Sequence, residues 1–247
     1  MSYILEWLLE DNNPAIKYRT ITEIMDRLPE EEEAKALYNE VWQQKCIQKL
    51  LSKQNENHVW EHSDKEYGVH TSMRYLTTCA EFGLYKDSRL DKTVEYTIEF
   101  LRGKATADMK HDYSGCSNAL VLRVLVMLGY YEYSEIQTML EQYFITQLAD
   151  GGFMCKRLLD KKPDRKSCYK ASVAALLLYA ECKRKGFLPS NSDALLEYFY
   201  KRDVFYTSDK SRLISEGRPG WRFNDNFFPV EPMRIGLPLI LSALSIL

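Results

Sequence analysis

Apolar residues recur along this chain three and four positions apart, and strict alternation of apolar and polar residues is almost absent. Spacing of that kind gathers apolar side chains on one face of a helix, which predicts an all-α protein. Ile4, Leu5, Leu8 and Leu9 make a first stripe, ended by Asp11-Asn12-Asn13-Pro14. Pro14 suits the opening turn of a second helix, over residues 16–28, because that turn has no use for the N–H that proline lacks. Leu28-Pro29 closes it. The acidic run Glu30 to Glu33 complements the positive end of a third helix, predicted over residues 31–51.

From residue 68 onward the pattern repeats. GVHTSMRYLTTCAEFGL (68–84), GCSNALVLRVLVMLGYY (115–131) and SCYKASVAALLLYAECK (167–183) each begin small or polar and become densely apolar. A more polar helix follows each of them, over 88–101, 134–148 and 192–203. His70, Cys116 and Cys168 stand near the starts of the dense helices, 46 and then 52 residues apart, the period of a helix-pair repeat. A helix apolar on nearly all faces must be covered on all of them, whereas its neighbour needs only one buried stripe. Inner helices alternating with outer ones in a closed ring, an α/α toroid, satisfy both demands, and an apolar helix over 232–247 would close the ring as its last inner member. The expectation is a single toroid domain over 1–247, with 1–52 as an N-terminal helical segment packed on it.

Charge and length narrow the functional classes. The 247 residues carry 33 basic and 35 acidic side chains, a formal net charge of −2, so there is no overall basic field to attract nucleic acid. The opening MSYILEWLLEDNN has acids where a signal peptide needs a basic segment, and no apolar run approaches a membrane span. A cytoplasmic protein is expected, with its six cysteines reduced. Cys46, Cys79 and Cys182 fall inside apolar helical patterns, where a thiol packs as a small hydrophobe. Core packing, metal binding and catalysis remain open for Cys116, Cys155 and Cys168.

In QLADGGFMCK (147–156) two glycines follow a helix that ends near Leu148, a place where the backbone can take positive φ as a C-cap and tight turn. QLADGGF (147–153) resembles the Q-x-x-D-G-G-[FW] turn of the terpenoid cyclase and protein prenyltransferase toroids. QNENHVW (54–60) resembles a degenerate copy in an earlier repeat, and Gly220-Trp221-Arg222-Phe223 a third. With its opening NPAIKYRT (13–20) and its FFP (227–229), the whole chain resembles the small bacterial prenyltransferase or squalene-oxidase repeat proteins. That resemblance implies the toroid and no particular reaction. The D-x-D-D acid of class II triterpene cyclases does not occur, Asp160, Asp164 and Asp225 being isolated; neither does the D-D-x-x-D of ionising terpene synthases. The Asp-x-Cys zinc pair of protein prenyltransferases is missing too. Squalene-type cyclisation and prenyl transfer to protein are therefore disfavoured.

In a ring of helix pairs the inner-helix starts share one face. His70, Cys116 and Cys168 occupy those starts, and Cys155 follows the glycine turn that leads to the third. Three soft thiolates and an imidazole form a tetrahedral zinc set, structural if all four bind and catalytic if one position stays open to water or substrate. No C-x-x-C spacing supports it. The alternatives are small residues at tight helix starts with His70 as a cap, or a metal-free thiolate beside His70 or His111. His58 and His62 frame Trp60 at i, i+4 and are read as a surface pair.

Tyr67, His111, Tyr113, Tyr169, Trp221, Phe223, Phe227 and Phe228 cluster near the same starts, where they pack or wall a pocket for an apolar or cationic ligand. Lys156, Arg157, Lys161, Lys162 and Arg165 make the loop 156–166 basic, a candidate site for a phosphate or carboxylate. Two functions stand side by side. One is an enzyme acting on an apolar, isoprenoid-like small molecule in a central cavity, with zinc or thiolate assistance. The other is a non-enzymatic ring that binds a lipid, peptide or protein partner.

Overall fold

The computed structural model describes the chain apart from residues 1–2, 11, 61–64, 104–114, 155–166 and 217–235, and of 65–68 it describes the backbone. Among the described residues the fold is all-α; the one β-type pairing is an isolated bridge between Tyr206 and Leu213. The chain divides into two compact units, Met1–Thr93 and Val94–Leu247. Residues 1–52, set apart by the sequence pattern, share the first unit with 53–93.

In the first unit α1 (Tyr3–Glu10) buries no residue; Leu5, Leu8 and Leu9 are half-buried and Ile4 is exposed. The Asn13 side chain caps α2 (Pro14–Arg19), accepting the Ala15 N–H at 3.0 Å with Pro14 in the first turn. The predicted helix over 16–28 ends sooner. It widens into a π turn at Thr20–Ile24, and Asp26 then takes a left-handed φ of 53°.

The helix predicted over 31–51 is two helices, α3 (Glu32–Gln43) and α4 (Lys45–Leu51). Gln44 between them is extended, with ψ 136°, and donates its side-chain amide to Asn13 Oδ1 at 2.7 Å; Gln48 Nε2 donates to the Trp42 carbonyl at 2.7 Å. One tertiary bond and one local bond thus hold the break in the helix that local propensity favours. The break also turns Cys46 outward, so this cysteine is exposed and not in the core as expected. Cys79 and Cys182 are fully buried, as expected.

Next come α5 (Lys65–Glu81) and α6 (Ser88–Arg102), within which the boundary of the units falls. The second unit shows the predicted contrast between dense and sparse helices. α7 (Cys116–Met127) buries every residue from Asn118 to Val126, and α9 (Tyr169–Arg184) every residue from Ala171 to Cys182. α8 (Ser134–Phe144) buries one stripe, Ile136, Met139, Leu140 and Tyr143; α10 (Ser192–Tyr200) buries Ser192, Leu195, Tyr198 and Phe199. Spacings of three, four and seven place each set on one face.

α9 packs on α7 and also on α11 (Leu237–Ile246). That last helix departs from the expectation of a fully covered inner member: it buries Ile240 and Ala243 alone, and Leu241 is 49% exposed. Among the described residues, a helix without a single charged residue is thus covered on one side only.

Candidate functional site

QLADGGF is a clasp between helices. The Leu148 N–H donates to the Gly152 carbonyl at 2.9 Å and the Gly151 N–H to the Leu148 carbonyl at 2.9 Å, closing a loop in which Gly151 has φ +84°. Gln147 Nε2 donates to the Gly151 carbonyl at 2.8 Å. One oxygen of Asp150 accepts the Gly152 N–H at 3.2 Å, and the other accepts the N–H and hydroxyl of Ser167 at 3.2 and 2.8 Å. Phe153 is fully buried, stacked on Tyr143 with centroids 5.0 Å apart and planes 2° from parallel. Its N–H donates to Ser172 Oγ at 2.9 Å, and its carbonyl accepts the Cys168 N–H at 2.8 Å. Asp150 and Phe153 thus join the turn at the end of α8 to the start of α9, while Gln147 closes the turn on itself. The glycines let α10 approach, as a Cβ on Gly152 would lie 2.6 Å from the Tyr198 ring.

The predicted degenerate copy is the same turn. In QNENHVW the Asn55 N–H donates to the Val59 carbonyl and the His58 N–H to the Asn55 carbonyl, both at 2.9 Å. His58, with φ 58°, holds the place that glycine holds at 151. Trp60 replaces Phe153; it is buried, donates Nε1–H to the Leu50 carbonyl at 2.8 Å, and accepts the Ser72 hydroxyl at 2.6 Å. α5 and α9 also end alike. The N–H groups of Leu84 and Phe187 reach back to the carbonyls of Cys79 and Cys182, and Gly83 and Gly186 take left-handed φ of 82° and 86°, the Schellman arrangement. Among the described residues the turn read from sequence is thus present in the backbone once in each unit.

The predicted site residues are distributed as follows. Cys116 is the first residue of α7 and Cys168 the N-cap of α9, both half-buried. α7 packs on α8, whose Tyr143 ring stacks on Phe153, and the Phe153 carbonyl accepts the Cys168 N–H. The Tyr143 hydroxyl is completely buried and meets no hydrogen-bond partner among the described residues, and burial pushes its pKa well above the usual phenol value. Tyr169 is buried against Phe199, 71° from parallel, and donates its hydroxyl to the Val204 carbonyl at 2.9 Å, so its polar atom is already engaged.

His70 differs from its predicted role at a helix start. α5 begins at Lys65, which puts His70 in its second turn, in the first unit. His58 is the positive-φ residue of a turn and not part of a helical i, i+4 pair. Cys155, His62, His111, Tyr113, Trp221, Phe223, Phe227, Phe228, the third turn at 220–223 and the basic set Lys156, Arg157, Lys161, Lys162 and Arg165 lie outside the described residues, as does the Tyr67 side chain. Among the described residues no group of three or more His, Cys, Asp or Glu side chains could hold a metal ion.

Sequence reasoning missed one cluster. Arg123, the one charge in α7, meets Glu181 of α9 at 3.1 Å with both side chains buried, and Arg184 reaches the same carboxylate at 3.0 Å. The available signal was an arginine inside the dense run NALVLRVLVM and a glutamate inside ALLLYAECK.

Together these features define, among the described residues, an all-helical protein of dense and one-faced helices, with one turn built twice. Comparison with protein-family models, with curated proteins and with solved structures finds no match. No helix among the described residues is long and apolar enough to cross a membrane.

Proposed function

We propose that the chain is a helix-pair repeat protein of the terpenoid cyclase and prenyltransferase kind, an α/α toroid. In this reading it binds a small apolar, isoprenoid-like molecule at the end where its inner helices begin. The observation that carries the reading is the twice-built turn, whose Phe153 carbonyl in the second unit accepts the N–H of Cys168, the N-cap of α9, while Cys116 opens α7. Thiolates are soft ligands that suit zinc. Cys116 and Cys168, with Cys155, are proposed as its ligands, leaving a fourth position for water or substrate; His70, in the other unit, is left out of the set.

Elemental analysis of protein purified without chelator or tag-borne metal tests this. About one zinc per chain is expected, lost in Cys116→Ala and Cys168→Ala and kept in Cys79→Ala. Bound zinc should also be accompanied by quenching of the aromatic fluorescence on adding farnesol. Metal-free protein with every thiol reduced removes the zinc, and failure of farnesol to bind removes the apolar ligand. A second reading, a ring that binds a lipid, peptide or protein partner without chemistry, is favoured by α1, where Tyr3, Ile4 and Trp7 are 83%, 66% and 60% exposed.

A further inference from the structure

Counted at about 100° per residue, the side chains of α1 divide that helix into two sides. Leu8, Leu5 and Leu9 fall at roughly 140°, 200° and 240° from Tyr3. They are the half-buried side of a helix that packs on α2 and the π turn. Glu6, Glu10, Tyr3, Trp7 and Ile4 follow one another around the other side, at roughly 300°, 340°, 0°, 40° and 100°, and all five are exposed. The outward face is therefore an apolar stripe of Tyr3, Trp7 and Ile4 with an acidic row, Glu6 and Glu10, along one edge. Ile24, in the π turn on which α1 packs, is exposed as well.

Single exposed apolar side chains are ordinary on a protein surface. Three on one arc of an eight-residue helix, bordered by charge, make a patch of the kind that marks an interaction site. Tryptophan and tyrosine are among the side chains that most often carry the energy of such a contact. Charge then narrows the partner. Residues 1–93 hold 17 acidic side chains against 12 basic, so the field of the unit reinforces that of Glu6 and Glu10. It repels an anionic lipid surface and attracts a cationic protein surface. The complement of an apolar stripe with an acidic edge is a helix whose own apolar stripe runs beside lysines or arginines.

We propose that the outward face of α1 docks a basic amphipathic helix of a partner protein, with Trp7 as the central anchor, Tyr3 and Ile4 beside it, and Glu6 and Glu10 set against the partner's cations. The proposal rests on the second reading above, a ring that binds a partner without chemistry, and names the class of that partner.

Anisotropy of a fluorescein-labelled peptide of about 15 leucines and lysines, patterned at helical spacing, measures the docking when the full chain is titrated in. Saturable binding is expected, and a peptide of the same composition ordered to give no stripe should not bind. Trp7→Ala, at an exposed position, should weaken binding by about thirtyfold, as loss of an interface anchor does. Glu6→Lys with Glu10→Lys should lose the lysine peptide and gain one with glutamate in place of lysine, an exchange that misfolding does not produce. The proposal is overturned if the lysine peptide does not bind the wild type, if the reordered peptide binds as well, if Trp7→Ala binds undiminished, or if charge reversal does not exchange the two peptides. Trp7-dependent binding of phosphatidylcholine vesicles, or of a second copy in sedimentation, with no binding of the peptide would overturn this partner and leave the second reading standing. Failure of peptide, vesicles and second copy alike would remove both.

Discussion

The backbone of Gly151 lies so close to Ala194 that a Cβ at position 151 would sit 2.1 Å from the Ala194 carbonyl oxygen. The residue also has φ +84°, where an L side chain is strained by about 1–2 kcal/mol. Gly151→Ala should therefore combine backbone strain with a forced separation of α10 from the turn, for a loss of about 3 kcal/mol or more. Gly186 has nearly the same φ, +86°, and nothing within 4 Å of its added Cβ. Gly186→Ala should lose only about 1 kcal/mol. Urea unfolding of both variants measures the difference; equal losses would show that contact with α10 does not matter.

Asp150 answers three donors, from Gly152 and from the N–H and hydroxyl of Ser167. Asp150→Ala leaves them to water, and the expected loss is about 1–3 kcal/mol. Native-state hydrogen exchange should show the Gly152 and Ser167 amides losing protection while the centre of α7 keeps its own. Unchanged exchange at both amides would mean that Asp150 is not the clasp.

Arg123 and Glu181 make the α7–α9 seam sensitive to single changes. Glu181→Gln removes the carboxylate charge that Arg123 and Arg184 share and should destabilise by about 3–5 kcal/mol. Arg123→Met with Glu181→Leu removes both charges together and should come within about 1–2 kcal/mol of the wild type or exceed it. A double variant as unstable as Glu181→Gln would show that shape, and not charge, dominates here.

Alkaline pH should unfold the protein. Burial pushes the Cys79 thiol up to about 12 and raises Cys182, and it likewise raises the phenols of Tyr18, Tyr143, Tyr169, Tyr179 and Tyr198. In the unfolded chain these groups ionise near about 8.5 and 10. The unfolded state therefore holds fewer protons, and stability falls as pH rises. The stabilisation is complete below about pH 8.5 and declines through the cysteine range toward about 12. Denaturation midpoints between pH 7 and 11 check this, and Cys79→Ala should flatten the first part of the decline.

The order of thiol reactivity follows from the same packing. Of the five described cysteines, a disulfide reagent under native conditions should modify Cys46 first, then the half-buried Cys116 and Cys168, and Cys79 and Cys182 only on unfolding. Mass mapping of the modified sites would reveal any other sequence.

The all-α class, the dense and one-faced helices, and the twin turns at 54–60 and 147–153 were legible in the amino-acid order. Periodicity, cap residues and glycine placement are local properties, and each depends on neighbours a few positions away. Even His58 in a left-handed turn is foreshadowed by its alignment with Gly151. Contacts between distant segments decided the rest. Gln44 breaks a continuous helical pattern because Asn13, 31 residues earlier, accepts its amide, and that break carries Cys46 to the surface. Arg123 lies in an apolar helix where Glu181, 58 residues later, meets it. Whether a thiol, a hydroxyl or a charge is buried, paired or exposed depends on what another helix brings to it, and spacing along one segment does not contain that information.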